Sequence, residues 1–230
     1  MNKLTTVLNV TQKYILSQLK TQKYLRFKDM KPPGVSSNTL SYHLNALQKG
    51  GWIVKSGAGY TLGLSGLAFI VRDTSTDDIR MQPNVVVSLV VQDGYGKILL
   101  HKKTNQPYIG RWELPAAYMT VADSSVVEAG RWASKSLVHF VPPVLRHVGD
   151  CYVRLHHGKL ALSATLMHIV RFDIDSYDPP EGYEWCAPLD IGGLPVAPGL
   201  QAVTERTLFN DDFFFEEYTF QLSAQESLGI

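Results

Sequence analysis

The sequence predicts an α+β chain built as two units, and three observations predict it. First, charge divides the 230 residues sharply. Residues 1–72 hold eight Lys and two Arg against one acid, Asp29, a net +9, whereas residues 73–230 hold 12 basic and 20 acidic side chains, a net −8. Second, the basic segment carries leucines at helical spacing followed by a Gly-rich pair of short apolar runs. Third, the acidic segment alternates β-branched runs with stretches of helical period, the pattern of mixed strands flanked by helices. With 45% hydrophobic and 19% charged residues the chain can bury cores. No apolar run approaches the ~20 residues of a membrane span. The N-terminus lacks the continuous apolar stretch of a signal peptide. Cys151 and Cys186 lie far apart without a CxxC spacing, so reduced thiols in the cytoplasm are expected rather than a zinc site or redox pair.

The elements of the first unit follow in order. Val7, Leu8, Val10, Ile15, Leu16 and Leu19 form an apolar stripe and predict a first helix. A short second helix is expected over Leu25–Met30, ending before Lys31-Pro32-Pro33-Gly34, because paired prolines remove donors and clash with a continuing helix. A third begins at the N-cap Ser36, carries Leu40, Leu44 and Leu47 on one face, and stops at Gly50 and Gly51. Its other face is Ser37, Asn38, Ser41, Tyr42 and Asn45, with Lys49 at the end. These groups donate and accept hydrogen bonds and include no acid, which fits phosphates and base edges in a groove wide enough for one helix. WIVKSGAGYTLGL then predicts two strands about a turn, presenting Lys55 and Tyr60.

Three helices and a hairpin resemble the winged helix-turn-helix family. The carrying residues are S-x-x-L-S-Y-H-L-x-x-L from Ser37 to Leu47, Gly51-Trp52-Ile53, and Tyr60-Thr61-Leu62 through Gly66. Gly63 stands where that family usually has Thr or Ser. The resemblance implies a winged helix-turn-helix domain over residues 1–72, double-stranded DNA as partner, and a homodimer, since two half-sites call for two recognition helices. The duplex-facing set is then Ser37, Asn38, Ser41, Tyr42, Asn45, Lys49, Lys55 and Tyr60. The cluster Phe213-Phe214-Phe215, near Tyr218 and Phe220, is a candidate dimer surface or else a C-terminal strand. A polar linker occupies residues 73–83.

The second unit, residues 84–230, is expected to open with strands at Val85–Val91 and Lys97–His101 around the turn Asp93-Gly94-Tyr95-Gly96. A helix over Ser124–Val138, strands at Cys151–Leu155, Leu160–Phe172 and Glu184–Pro188, and a last helix near Pro198 complete it. VVVSLVVQDGYGKILLHKK, Gly110-Arg111-Trp112-Glu113-Leu114-Pro115, residues 117–139 and Glu184-Trp185-Cys186-Ala187-Pro188-Leu189-Asp190 resemble the Nudix fold. That resemblance implies an α/β/α sandwich on a mixed sheet. It also supplies a signature, G-x5-E-x7-R-E-U-x-E-E-x-G-U with U aliphatic, that aligns without a gap. Ala117 and Asp123 fall on its first Gly and Glu, and Arg131 on its Arg. Trp132 falls on the next Glu and Ala133 on U. Lys135 and Ser136 fall on the paired Glu, and Val138 and His139 on the last two positions.

Those glutamates bind hard cations such as Mg²⁺ through oxygen ligands that share one helix face. Trp132, Lys135 and Ser136 supply none, and Lys135 would repel the ion. The expectation is therefore no catalytic residue and no metal ligand. Asp123 is expected to be a helix N-terminal charge or a loose cation contact, and Glu128 an i,i+3 partner of Arg131. A rearranged Mg²⁺-dependent hydrolase of nucleoside diphosphate derivatives, drawing on Glu113, Glu181 or Glu184, is the alternative. A pocket that has lost its metal can still bind a nucleotide-like or sugar-phosphate metabolite, and its candidate lining is Arg111, Trp112, Arg131 and Lys135, with Trp112 otherwise a core residue. Joined to a basic winged helix, this predicts a DNA-binding transcriptional regulator with a degenerate Nudix sensor and no membrane contact. In the known Nudix regulators that it resembles by parts, the sensor precedes the winged helix.

Overall fold

The computed structural model describes residues 8–72, 83–175, 177–209 and 212–222. They divide into two compact units, one of residues 8–72 with 104–109 and Leu222, the other of residues 83–103 and 110–221. The linker expected at 73–83 lies outside the described residues except for Pro83, as does Val7.

In the first unit α1 (Val10–Gln18) starts at Asn9, whose side chain accepts from Gln12 N while the Gln12 side chain accepts from Asn9 N. This reciprocal cap satisfies two donors that a helix start leaves orphaned. The second expected helix is instead a 3₁₀ turn, Phe27–Met30. Leu25, predicted to begin it, exchanges two backbone hydrogen bonds of 3.0 and 2.8 Å with Tyr60 and so adds a rung to the hairpin. α2 (Ser37–Lys49) is capped by Ser36 as expected and buries Leu40, Leu44 and Leu47. β1 (Ile53–Ser56) and β2 (Gly59–Leu62) pair antiparallel.

A helix that the sequence did not announce follows, α3 (Leu64–Arg72). Its buried Leu67, Ala68 and Ile70 close a core with Ile15, Leu16, Leu19, Met30, Leu40, Leu44, Leu47, Ile53 and Leu62. Each such Leu, Ile or Met side chain contributes roughly 1.5–3 kcal/mol by leaving water. The turn into α3 presses against the backbone of Gly51 and Trp52, between α2 and β1. A Cβ on Gly63 would lie 2.3 Å from the Gly51 carbonyl oxygen, which explains why Gly replaces the usual Thr or Ser there. Three helices, a 3₁₀ turn and a small antiparallel hairpin make up this unit.

The second unit is a mixed sheet with helices on both faces. β3 (Asn84–Asp93), β4 (Ile98–Lys102), β5 (Trp112–Glu113), β6 (Ala116–Tyr118), β7 (Arg146–His157), β8 (Leu160–Ile174), β9 (Tyr183–Cys186) and β10 (Phe214–Gln221) run in the order β10-β7-β8-β3-β4-β5. β6 pairs with β3 and β9 with β4. β3–β8 and β10–β7 are parallel, the other pairs antiparallel. The β3–β4 turn forms because the Asp93 carboxylate accepts from Tyr95 N and Lys97 N, an Asx device that only a short acid or amide can build.

Strand alternation sends Val90, Ile98, Leu100, Cys151, Val153 and Ile169 to one face, beneath α5 (Leu200–Leu208). It sends Val87, Leu89, Val91, Leu99, Val170 and Phe172 to the other, beneath α4 (Val126–Ala133). The result is the expected three-layer sandwich. Of the aromatic run at 213–215, β10 takes Phe214 and Phe215, and Phe213 stands just before it. Phe214 is buried, while Phe213 and Phe215 point outward. Both cysteines are free thiols. Burial pushes the Cys151 thiol up to about 12 and raises that of Cys186. No helix among the described residues is long and apolar enough to cross a membrane.

Candidate functional site

On α2 the leucines that anchor the helix leave its other face to solvent. Ser37, Asn38, Tyr42, Asn45 and Lys49 are exposed, Tyr42 to 70%, and Ser41 is half-buried. The structure thus brings six of the eight predicted duplex-facing residues onto one helix. Lys55 is exposed on β1, its ammonium 5.8 Å from the centre of the Tyr60 ring. Tyr60 is half-buried, and its backbone is spent on Leu25. His43, absent from the predicted set, packs edge-on against Tyr42 at 5.3 Å, and its Nδ1 lies 3.4 Å from Asn9 Nδ2, tying the cap of α1 to α2.

On the signature stretch the expected helix over Ser124–Val138 is α-helical only from Val126 to Ala133. It opens into a π segment over Ser134–Val138, where Ser134 Oγ donates to Phe140 O at 2.6 Å. The wider turn breaks the three-and-four spacing on which a shared ligand face depends. Asp123 accepts from Thr120 N at 2.6 Å and Thr120 Oγ1 at 3.0 Å, closing its own loop ahead of the helix. Glu128 sits 3.6 Å from Arg131, whose Nη1 donates to Pro142 O. Trp132 is 57% exposed, and Lys135 and Ser136 also face solvent.

The other half of the predicted pocket lies elsewhere. Trp112 is only 8% exposed and packs in the core beneath α5. Its N–H donates to Pro195 O and its carbonyl accepts from Ala197 N, while Arg111 Nη1 donates to Val196 O. Arg131 belongs to the helix covering the opposite face, and Lys135 to the π segment that follows it, so Arg111, Trp112, Arg131 and Lys135 do not line one pocket. A cavity of about 250 Å³ lies instead against β4, β5 and β9, lined by Lys97, Leu100, Trp112, Glu184, Trp185 and Asp190. Of these, Trp112 was expected to line the pocket and Glu184 to serve as a carboxylate in the hydrolase alternative, and Trp185 and Asp190 belong to the same motif as Glu184.

Glu113, on the outer strand, is held by Lys103 at 2.8 Å and His101 at 3.5 Å. Burial raises its pKa, but the His101 hydrogen bond and the Lys103 charge outweigh that and hold it below the usual 4.5. A carboxylate with a depressed native pKa contributes stability that is full above 4.5 and lost as pH falls through the lower native value. Glu113→Gln is therefore expected to lower the unfolding midpoint at pH 7 and to leave it unchanged at a pH below the native value. Urea titrations across that range check this.

No protein-family profile matches the chain, and no curated protein matches it. Solved structures do. The MutT protein of Bacillus halodurans is 18% identical with a TM-score of 0.50, over 60% of this chain and 90% of that one. The second unit has the Nudix fold. The Nudix domain of Shewanella oneidensis NrtR, solved with ADP ribose, is 17% identical at TM-score 0.46, over 58% of this chain and 91% of its own. NrtR solved with a 27mer DNA is 17% identical at 0.43, over 54% and 59%. At these identities the likeness extends to the fold alone.

A Nudix hydrolase would carry divalent cations on the stretch that includes α4. The side chains present do not fit them. The acids there are Asp123 and Glu128, one turned into its loop and the other to Arg131. Lys135 brings a positive charge where a cation should be. Two engaged carboxylates and an ammonium cannot supply the oxygen cage that Mg²⁺ demands.

Proposed function

We propose that this chain is a DNA-binding transcriptional regulator whose Nudix-fold unit senses a nucleotide-like or sugar-phosphate metabolite without cutting it, acting as a cytoplasmic homodimer. One observation carries the proposal: an exposed, acid-free polar face on α2, in a segment of net charge +9. The charge would draw in a polyanion. The face would then offer Asn38, Ser41, Tyr42 and Asn45 to base edges, and Ser37, Lys49, Lys55 and Tyr60 to phosphates. The poor fit of cations at α4 supports sensing over hydrolysis.

Selection of duplexes from a random pool tests the reading. Lys55→Ala is expected to weaken all duplexes about equally and to lower the salt slope by about one. Asn38→Ala and Tyr42→Ala are expected to change which sequences are retained, at a cost of about 1–3 kcal/mol on the preferred site. Retention of the same sequences by all three variants at the affinity of the parent chain would refute the recognition helix. The sensing half is tested by thermal shift with nucleotides and sugar phosphates. ADP-ribose, the molecule held by the Shewanella domain, is the first probe.

A further inference from the structure

β7 and β8 build a second site, and the register of the two strands makes it. His147 and Asp150 stand three apart on β7, so in a regular strand their side chains would point to opposite faces of the sheet. They do not, because β7 carries a bulge. His147 pairs with Val170 and Gly149 with Ile169, so Val148 is an extra residue with no partner opposite. Both bulge residues serve the α5 face, where Val148 packs into the core. At Gly149 the Phe214 ring comes so near that a Cβ would lie 2.5 Å from it. The added residue turns His147 onto the α4 face, alongside Asp150, which lies directly opposite His168.

Three donors converge there. His147 Nε2 lies 2.8 Å and His168 Nδ1 2.6 Å from Asp150 Oδ1, and the ligand atoms of all three lie within 4.8 Å of one another. The side chains are 16–24% exposed, shielded on one side by Phe213, whose ring meets His147 edge-on at 5.1 Å. A tetrahedral Zn²⁺ with bonds of about 2.0–2.2 Å holds its donors roughly 3.3–3.6 Å apart. Both histidine–carboxylate separations fall short of that spacing by about 1 Å or less, and the third lies within 4.8 Å, so small rotations of the rings and carboxylate would bring the donors to it. Two imidazoles and one carboxylate suit Zn²⁺, Co²⁺, Ni²⁺ or Fe²⁺, whereas Mg²⁺ asks for oxygen alone.

We propose that His147, Asp150 and His168 form a binding site for one divalent transition-metal ion of the zinc class, with a fourth coordination position left to solvent or a small anion. The site owes nothing to the signature stretch, since its ligands come from two strands, and it stands or falls separately from DNA binding. If the three groups only pin the bulge by hydrogen bonds, no ion binds.

The test is titration of the metal-stripped full chain with Co²⁺, followed by the visible spectrum, then displacement by Zn²⁺. The expected result is one ion per chain, the intense bands of four- or five-coordinate cobalt, their loss on adding Zn²⁺, and no response to Mg²⁺. Asp150→Asn retains an acceptor for both rings and is expected to fold, yet to weaken Zn²⁺ at least about tenfold. His168→Gln should do the same, and His156→Gln, further along β7, should change nothing. Near-ultraviolet circular dichroism reports folding. Independently of any variant, Zn²⁺ should protect His147 and His168 of the parent chain from carbethoxylation, read by peptide mass spectrometry. Octahedral-type weak cobalt bands, equal Zn²⁺ affinity in Asp150→Asn, or unchanged modification of the two histidines would overturn the proposal.

Discussion

Gly66→Ala is expected to unfold the N-terminal unit while the Nudix-fold unit stays folded. Gly66 sits in the first turn of α3, and on helix propensity alone Ala would be favoured there by about 1 kcal/mol. The collision runs the other way. A Cβ at this position would lie 2.1 Å from the Trp52 carbonyl oxygen, a backbone atom that also accepts the Gly63 N–H at 2.8 Å and cannot swing aside. Relieving it means lifting α3 off the hairpin and opening the contacts of Leu67 and Ile70. Overpacking typically costs about 1–3 kcal/mol and occasionally more, and a backbone atom that cannot yield puts this site at the upper end of that range. A unit of this size draws only about 3–5 kcal/mol from its core. Urea unfolding of the parent chain followed by Trp52 and by a probe in the second unit should show the first transition lost in the variant and the second kept. Duplex retention should vanish with the first. A variant with both transitions intact would show that the chain tolerates the methyl and that α3 sits less tightly than described.

Trp112→Ala is expected to destabilise the second unit by about 3–5 kcal/mol, the cost of emptying a buried indole site. The ring packs with Leu100, Leu114, Ile191 and Leu200 beneath α5, and the Lys102 ammonium lies 5.6 Å from its centre. The residue's backbone bonds to residues 195 and 197 survive the change, so the loss is one of packing. A purely ligand-binding tryptophan would behave differently, losing metabolite affinity with the unfolding midpoint unmoved. Arg131→Ala and Lys135→Ala provide the contrast. Both stand on the far side of the sheet, their side chains half-buried and exposed respectively, and each should shift stability by no more than about 0.5 kcal/mol. Urea midpoints of the three variants decide it.

What could be read beforehand was local. Ser36 caps and three leucines face inward whatever surrounds α2, and the Asp93 side chain makes its turn from neighbouring amides alone. What could not be read depends on partners distant in sequence. α3 contains Gly66 and follows a strand without a capping residue, so helix signals were weak; its glycine is there for Trp52. Leu25 has a helical neighbourhood, yet it takes two backbone bonds from Tyr60. The π segment follows from Ser134 bonding to Phe140, which no periodicity announces. β7 was expected to start at Cys151 and starts at Arg146, because its first turn of pairing runs through a bulge. The same cause hid the His147, Asp150 and His168 cluster. Its members share a face only once Val148 is displaced and β8 supplies its histidine eighteen positions on from Asp150. Arg111, Trp112, Arg131 and Lys135 were grouped by motif, and motif spacing carries no information about which side of a sheet each will take.

Equilibrium binding of the whole chain to duplex DNA of random sequence, across a salt series, tests the central claim most directly. A basic unit that reads DNA through α2 and its hairpin predicts a log affinity falling linearly with log salt, by about 0.9 for every phosphate engaged, with several engaged. No retention even at low salt, or an affinity indifferent to salt, would contradict it.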